Sequence, residues 1–224
     1  MATPLSIEHL DSVASTQDEA RLRFSGQPLL ITASEQSKGR GRSGSEWLNA
    51  DRLVAASVAF APDWPQSAVS RIPLISALAV ADLVGPRLRV KWPNDLLVAG
   101  LKVGGILAEA ADGIVVVGLG LNVYWASPPT GMGAVHSSDP GSEHTRNAAV
   151  RWASRLLERV EGGWENWGRD DYESLCDTVG SRIEWDPVGD GRAVGIDDDG
   201  GLIVETAAGS ITIRAGEVRH VRSD

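Results

Sequence analysis

One cysteine, Cys176, is all that 224 residues contain. No intrachain disulfide can form, which agrees with a reducing compartment. Cations are also in short supply: 21 Lys plus Arg stand against 30 Asp plus Glu, a net charge of -9. Non-specific nucleic-acid binding rests on phosphate neutralisation by Lys and Arg, so a dedicated DNA-binding module is disfavoured. Long apolar runs are missing too. The longest, Leu53 to Phe60 and Ile114 to Val123, fall well short of the roughly 20 residues that span a bilayer. The N-terminal segment carries Glu8, Asp11, Asp18 and Glu19 and no continuous apolar stretch of the kind that opens a secretory signal. A cytoplasmic protein with no nucleic-acid or membrane partner is the expectation. The four histidines, at 9, 136, 144 and 220, have no metal-ligand spacing, so no protein-held metal is expected. There is also no G-x-x-x-x-G-K-[ST], H-R-D or D-F-G, which sets aside P-loop and kinase-like phosphoryl chemistry.

What is present alternates in type along the chain. Thr16 and Glu19 have the spacing of a capping box ahead of a short helix starting near Gln17. Pro28 to Ala33 and Leu53 to Phe60 read as strands, separated by a polar, glycine-rich stretch from Glu35 to Trp47. Ile72, Ile75, Leu78, Ala79 and Leu83 recur at helical spacing until Gly85-Pro86 closes the element. Leu88 to Trp92, Gly105 to Ala110 and Ile114 to Leu121 then read as the middle of a sheet. Asp112-Gly113 is the hairpin signal that makes part of it antiparallel. Trp125 to Ser142 reads as a loop, Arg146 to Val160 as a helix stopped by Gly162-Gly163, and Trp164 to Cys176 as a second helical piece. After Val179 come short β runs with tight turns. The expected architecture is therefore α+β, a mixed and largely antiparallel sheet with flanking helices in residues 1–177, plus a small β-barrel in 178–224.

Two clusters could carry chemistry. Lys38 and Gly39-Arg40-Gly41-Arg42-Ser43-Gly44 put three cations within five residues of an acidic chain. Glycines bring backbone N–H groups close to a ligand, and arginine forks match carboxylate and phosphate oxygens, so this is a candidate anion site. The same residues match G-x-G-x-x-G, but the following segment leads to a strand, whereas the dinucleotide fingerprint needs a helix to open there. The second cluster is Lys91-Trp92-Pro93-Asn94-Asp95 followed by Lys102 and Gly104-Gly105-Ile106-Leu107-Ala108-Glu109. Pro93-Asn94-Asp95 reads as a turn at a strand end, and Lys102 stands where a sheet surface can hold an ammonium over a pocket. The acidic run Asp197 to Asp199 and the pair Asp170-Asp171 read as solvated surface.

In this order and spacing, Gln36 to Arg42 with Trp47, K-W-P-N-D, Lys102 with G-G-I-L-A-E, and Gly118-Leu119-Gly120-Leu121-Asn122-Val123 resemble the biotin protein ligase family. Ser15-Thr16-Gln17 and the C-terminal Gly216 to Val221 extend the resemblance over nearly the whole chain. It implies a synthetase-like catalytic domain with an SH3-like C-terminal barrel. The implied activity is formation of biotinyl-5′-adenylate from biotin and Mg-ATP, then transfer to one lysine of the biotin carboxyl carrier domain of acetyl-CoA or a related acyl-CoA carboxylase. By resemblance, the biotin-binding residues are Ser15, Thr16, Gln17, Gln36, Arg40, Gly41, Arg42 and Lys102. The ATP-binding residues are Gly39, Arg42, Trp47, Lys91, Asn94 and Asn122, with Trp47 packing on adenine.

A carboxylate that attacks the α-phosphate of a tetra-anion needs positive charge to offset repulsion. Arg40, Arg42, Lys91 and Lys102, with Mg²⁺, are the expected suppliers. Transfer needs a neutral amine from a lysine whose pKa is about 10.4, so a base helps; Asp95 is that base or else the anchor of Lys102 or of the turn. The chain departs from the family in having Lys38 before G-R-G-R, Ser43 and Ser45 after it, and Gln17 where Asn is common. The short stretch before Ser15 leaves no room for the N-terminal helix-turn-helix of the repressor forms, so a form without a DNA-binding domain is expected. A monomer or weak homodimer is the expected assembly. The competing readings are a lipoate or octanoate protein ligase, and a non-catalytic sensor of biotin or its adenylate.

Overall fold

A computed structural model describes residues 4–42, 47–185, 189–214 and 218–220. Seven strands form the main sheet: β1 (Ser6–Val13), β2 (Leu29–Gln36), β3 (Arg52–Phe60), β4 (Leu88–Lys91), β5 (Asp95–Val98), β6 (Leu101–Ala111) and β7 (Ile114–Tyr124), in the spatial order β1-β2-β3-β7-β6-β5-β4. Only β1 and β2 run parallel; every other neighbour is antiparallel. Helices α1 (Thr16–Arg23), α2 (Ile72–Val84), α3 (Ser142–Glu161) and α4 (Arg169–Leu175) flank the sheet. A second antiparallel sheet holds β8 (Arg182–Trp185), β9 (Gly189–Ile196), β10 (Leu202–Thr206), β11 (Gly209–Ile213) and β12 (Val218–His220), in the order β11-β10-β9-β8-β12.

The pleat sorts the central strands. On one face Val54, Ala56, Val58 and Phe60 of β3 meet Val115, Val117, Leu119 and Leu121 of β7, and with α2 and α3 they form the main core. On the other face Ile31, Ala59 and Val116 pack against Ala20 of α1. Helix α1 is short, so it covers only one end of that second face. Beyond it β7 presents the half-buried Gly118 and Gly120, which carry no side chain to fill the space. That is where the cavity lies.

Four sequence expectations need correction. Thr16 does not cap α1; Ser15 does, its hydroxyl accepting from the Asp18 N–H, because the Thr16 hydroxyl is drawn inward to Gln36 and Ser57. Strands β1 and β5 have no counterpart in the sequence reading: β1 is an edge strand with little burial on either face, and β5 has four residues. The 3-10 turn Gln66–Arg71 and α2 together form a 19-residue stretch apolar enough by composition to cross a bilayer, longer than the runs Leu53 to Phe60 and Ile114 to Val123. Pro73, Ser76 and Asp82 break it up in sequence, and eight residues of α2 are buried in the core.

Asp197 to Asp199 form the fourth. This β9–β10 turn docks on the part of the chain that carries the main sheet. Buried Arg71 donates to the Asp198 carbonyl at 2.8 Å and pairs with the Asp199 carboxylate. The indoles of Trp92 and Trp167 donate to the carbonyls of Gly200 and Asp198, at 3.0 and 2.9 Å. Only the Asp198 carboxylate stays out in solvent, 92% exposed, where Arg169 pairs with it at 3.2 Å.

Candidate active site

A cavity of about 390 Å³ opens on the α1 face of the main sheet. The α1 start supplies Ser15, Thr16 and Gln17; the end of β2 supplies Gln36; the glycine-arginine segment supplies Arg40, Gly41 and Arg42. Trp47, Lys91, Asn94, Asp95 and Lys102 complete the set, with Val218 and Arg219 reaching in from the second sheet. Twelve of the fourteen residues expected at the site thus line one space. Gly39 and Asn122 do not. Gly39 lies behind Trp47, its carbonyl accepting the Trp47 N–H at 3.0 Å. Asn122 is fully buried beneath the site, donating to the Gly133 carbonyl at 3.0 Å while its Oδ1 has no partner. Ser43 and Ser45, where the chain departs from the family pattern, lie outside the described residues.

The polar end of the cavity is held by neutral groups. Gln36 Oε1 accepts from the Thr16 N–H at 2.8 Å and from its hydroxyl at 3.0 Å. Gln17 is 4% exposed and bridges to β7 through the Val116 carbonyl at 2.9 Å. Ser57, which the sequence reading passed over, lies between Thr16 and Gln17 at 2.8 and 3.1 Å. Its signal was a lone hydroxyl in the apolar run Leu53 to Phe60. Gly118 and Gly120, part of the G-L-G-L-N-V motif, are each a close approach. A Cβ at Gly118 would stand 2.6 Å from Gln17 Oε1, and one at Gly120 2.7 Å from Trp47 Cε2. The Trp47 ring therefore lies flat on β7 and reaches Gly105 of β6, with its Nε1 buried and unpartnered.

The other end is cationic. K-W-P-N-D forms the tight β4–β5 connection, in which Lys91 and Asp95 are register partners and the Trp92-Pro93 peptide is cis. Asn94 is clamped by three bonds: its carbonyl takes the Ile106 N–H, its Nδ2 donates to the Ile106 carbonyl, and its Oδ1 accepts from Arg42 at 3.2 Å. Lys102 Nζ lies 2.6 Å from Asp95 Oδ1. Arg40 forks onto Asp18 at 2.7 and 2.8 Å, with Glu109 at 3.9 Å. The hydrogen bond from Arg40 holds the Asp18 carboxyl below its ordinary value, and Asp18 in turn raises Arg40. Among the described residues no three His, Cys, Asp or Glu side chains converge as a metal site.

A cavity with a neutral amide and hydroxyl floor, a cationic wall and an aromatic ring between them suits a substrate with a polar uncharged ring, a carboxylate and a nucleotide. Comparison with known proteins agrees. Residues 10–122 match the Biotin/lipoate A/B protein ligase family and residues 184–221 the Biotin protein ligase C terminal domain. The biotin–[acetyl-CoA-carboxylase] ligase of Mycobacterium tuberculosis is 35% identical over 214 residues, covering 87% of this chain and 79% of that one. The ligase of the same name from Paracoccus denitrificans is 30% identical over 217 residues, covering 84% and 88%. In fold, the chain superposes on the biotin protein ligase of Aquifex aeolicus, solved with biotin and ATP, with a TM-score of 0.80 at 23% identity, covering 97% and 99% of the two chains. The chain belongs to the biotin protein ligase family.

Proposed function

We propose that the protein activates biotin with Mg-ATP to biotinyl-5′-AMP and transfers the biotinyl group to a lysine of the carboxyl carrier domain of an acyl-CoA carboxylase. The observation that carries this is the convergence of Arg40, Arg42, Lys91 and Lys102 on one cavity with Thr16, Gln17 and Gln36, in a chain whose net charge is -9.

In the first step a biotin carboxylate oxygen attacks the α-phosphorus and pyrophosphate leaves. Negative charge accumulates on the non-bridging oxygens, and preorganised cations lower that barrier most in a site with little water. Lys102 sits beside the reacting carboxylate and α-phosphate, while Arg42, Lys91 and Arg40 face the rest of the triphosphate. Mg²⁺ enters with ATP as part of the substrate. Trp47 covers the adenine, and Asn94 and Asn122 order the strands beneath the nucleotide. In the second step the carrier amine attacks the acyl carbonyl carbon, AMP leaves, and the amine's proton passes to Asp95. The Lys102 contact orients that carboxylate. The carrier domain is the only macromolecular partner in this reading, and the cytoplasm is where it acts.

The test is a carrier-domain biotinylation assay read by avidin blot, with biotin and lipoate competing. Biotin transfer that lipoate does not suppress supports the reading. Preferred lipoylation moves the protein to the neighbouring ligase class, and binding of biotin without transfer makes it a sensor.

A further inference from the structure

Two backbone carbonyls anchor a chain of side chains beneath the cavity. Gln17 Nε2 donates to the Val116 carbonyl at 2.9 Å and to that of Leu107 at 3.5 Å. A carbonyl only accepts, so the NH₂ end of the Gln17 amide is fixed on that side and Oε1 faces the other way. There it meets Ser57 Oγ at 3.1 Å. An amide oxygen has no proton to give, so the one Ser57 hydroxyl proton is committed to it. Ser57 Oγ is left as an acceptor toward Thr16 Oγ1, 2.8 Å away. The Thr16 proton therefore points inward, to Ser57 Oγ or to Gln36 Oε1 at 3.0 Å, and a Thr16 lone pair is turned toward the cavity. Gln36 Oε1 is also occupied by the Thr16 N–H, which leaves the Gln36 NH₂ as the group offered outward.

Burial keeps these directions from scrambling. Thr16, Gln17 and Ser57 are 3%, 4% and 1% exposed, and in so dry a setting an unmatched donor or acceptor is costly because no water can replace its partner. Gly118 is part of the arrangement, because a Cβ there would stand 2.6 Å from Gln17 Oε1 and 3.3 Å from Ser57 Oγ.

We infer that Ser57 and Gln17 form a relay that fixes the hydrogen-bond polarity of the pocket, with Thr16 Oγ1 as acceptor beside the Gln36 NH₂ as donor, and that this selects a ring offering N–H next to C=O. A cyclic urea has that pattern. Ser57 is a positioning residue in this scheme, acting on the ligand through Thr16 and Gln36, and the inference rests on the biotin-ligase reading.

The experiment measures pyrophosphate release with biotin and with the two cyclic carbamates in which one ring N–H is replaced by oxygen. The wild type should prefer biotin over the poorer carbamate by at least about 100-fold in kcat/KM, since a site built around an N–H rejects the analogue lacking it. In Ser57→Ala the Thr16 hydroxyl keeps only Gln36 Oε1 as an inward acceptor, an oxygen the Thr16 N–H already occupies, so its proton can turn outward to a ring oxygen. The preference should fall to about tenfold or less and KM for biotin should rise about tenfold, with KM for ATP and kcat within about twofold. Gln17→Met, which keeps length without the amide, should lower the preference in the same way, and the double variant should show no lower a preference than either single because both break one chain. If Ser57→Ala does not fold, Gln17→Met carries the same expectation. Wild-type preference retained in the folded variants, or losses that simply add, would overturn the relay while leaving biotin turnover intact. A wild-type protein that does not turn over biotin would overturn the functional reading, and the relay with it.

Discussion

Lys102 and Asp95 stand on adjacent strands, 2.6 Å apart, and the pair lies at the cavity without being sealed from solvent. Removing the ammonium should therefore affect chemistry far more than folding. Lys102→Ala should slow adenylate formation at least about tenfold for each roughly 1.4 kcal/mol of transition-state stabilisation lost, with a melting temperature close to wild type. Pyrophosphate release at the wild-type rate would remove Lys102 from the mechanism. Arg40 poses a different problem, since its fork is occupied by Asp18, a carboxylate in the place an anionic substrate would take. Asp18→Asn should release it and lower KM for ATP about threefold. Both side chains are more than a third exposed, so the pair's own stabilisation is at most about 1 kcal/mol. Because the hydrogen bond from Arg40 depresses the Asp18 pKa from 3.8, that stabilisation is present above the unfolded value and lost as pH falls through the lower folded one. The gap in melting temperature between wild type and Asp18→Asn should be visible at neutral pH and should close on acidification below about pH 4.

At the scale of elements, the alternation along β7 decides what the sheet can hold. Val115, Val117, Leu119 and Leu121 face the core, whereas Gly118 and Gly120 leave the opposite side bare for Gln17 and Trp47. Gly120→Ala should push the Trp47 ring off the strand and raise KM for ATP with less effect on KM for biotin, as steady-state kinetics would reveal. The segment ending in Trp47 is also rich in trypsin sites. Cleavage at Lys38, Arg40 or Arg42 should slow when biotin and ATP are both present, and equal rates with and without them would separate this segment from ligand binding.

Much of this level was legible because period and punctuation are local signals. The apolar run of β3, the three- and four-residue steps of α2, Asp112-Gly113 and Gly162-Gly163 each announce an element or its end. The cationic cluster and K-W-P-N-D could be read for the same reason. What stayed hidden depended on distant partners. The α1 cap passes from Thr16 to Ser15 because Ser57, 41 residues on, claims the Thr16 hydroxyl. Ser57 looked like one polar residue in an apolar strand, and only the register Ser57↔Gly118 sets it beside Gln17 over the gap left by the glycine.

For the molecule as a whole, the acidic turn after β9 shows how far local polarity can mislead. Asp199 pairs with Arg71, 128 residues earlier, and that guanidinium is 6% exposed and lies 5.1 Å from the centre of the Trp164 ring. Arg71→Leu should destabilise the protein by about 2 kcal/mol, less than the loss of a fully buried ion pair because the Asp199 carboxylate is half exposed. Urea unfolding would measure it. The same net acidity that frames the cationic cavity predicts weak binding to DNA at physiological salt, and a specific gel shift at nanomolar protein would contradict that.

Trp92 belongs to both halves of this arrangement. Its backbone N–H is held by the Thr178 hydroxyl and its indole by the Gly200 carbonyl, while the next three residues form the turn at the cavity. For anyone building chimeras from related ligases, the boundary expected from the sequence at 177/178 is therefore misleading as a cut site. A transplanted C-terminal segment would misalign the recipient's nucleotide turn unless Arg71, Trp92 and Trp167 travelled with it as a matched set, so exchangeability follows this shared contact and not the order of residues along the chain.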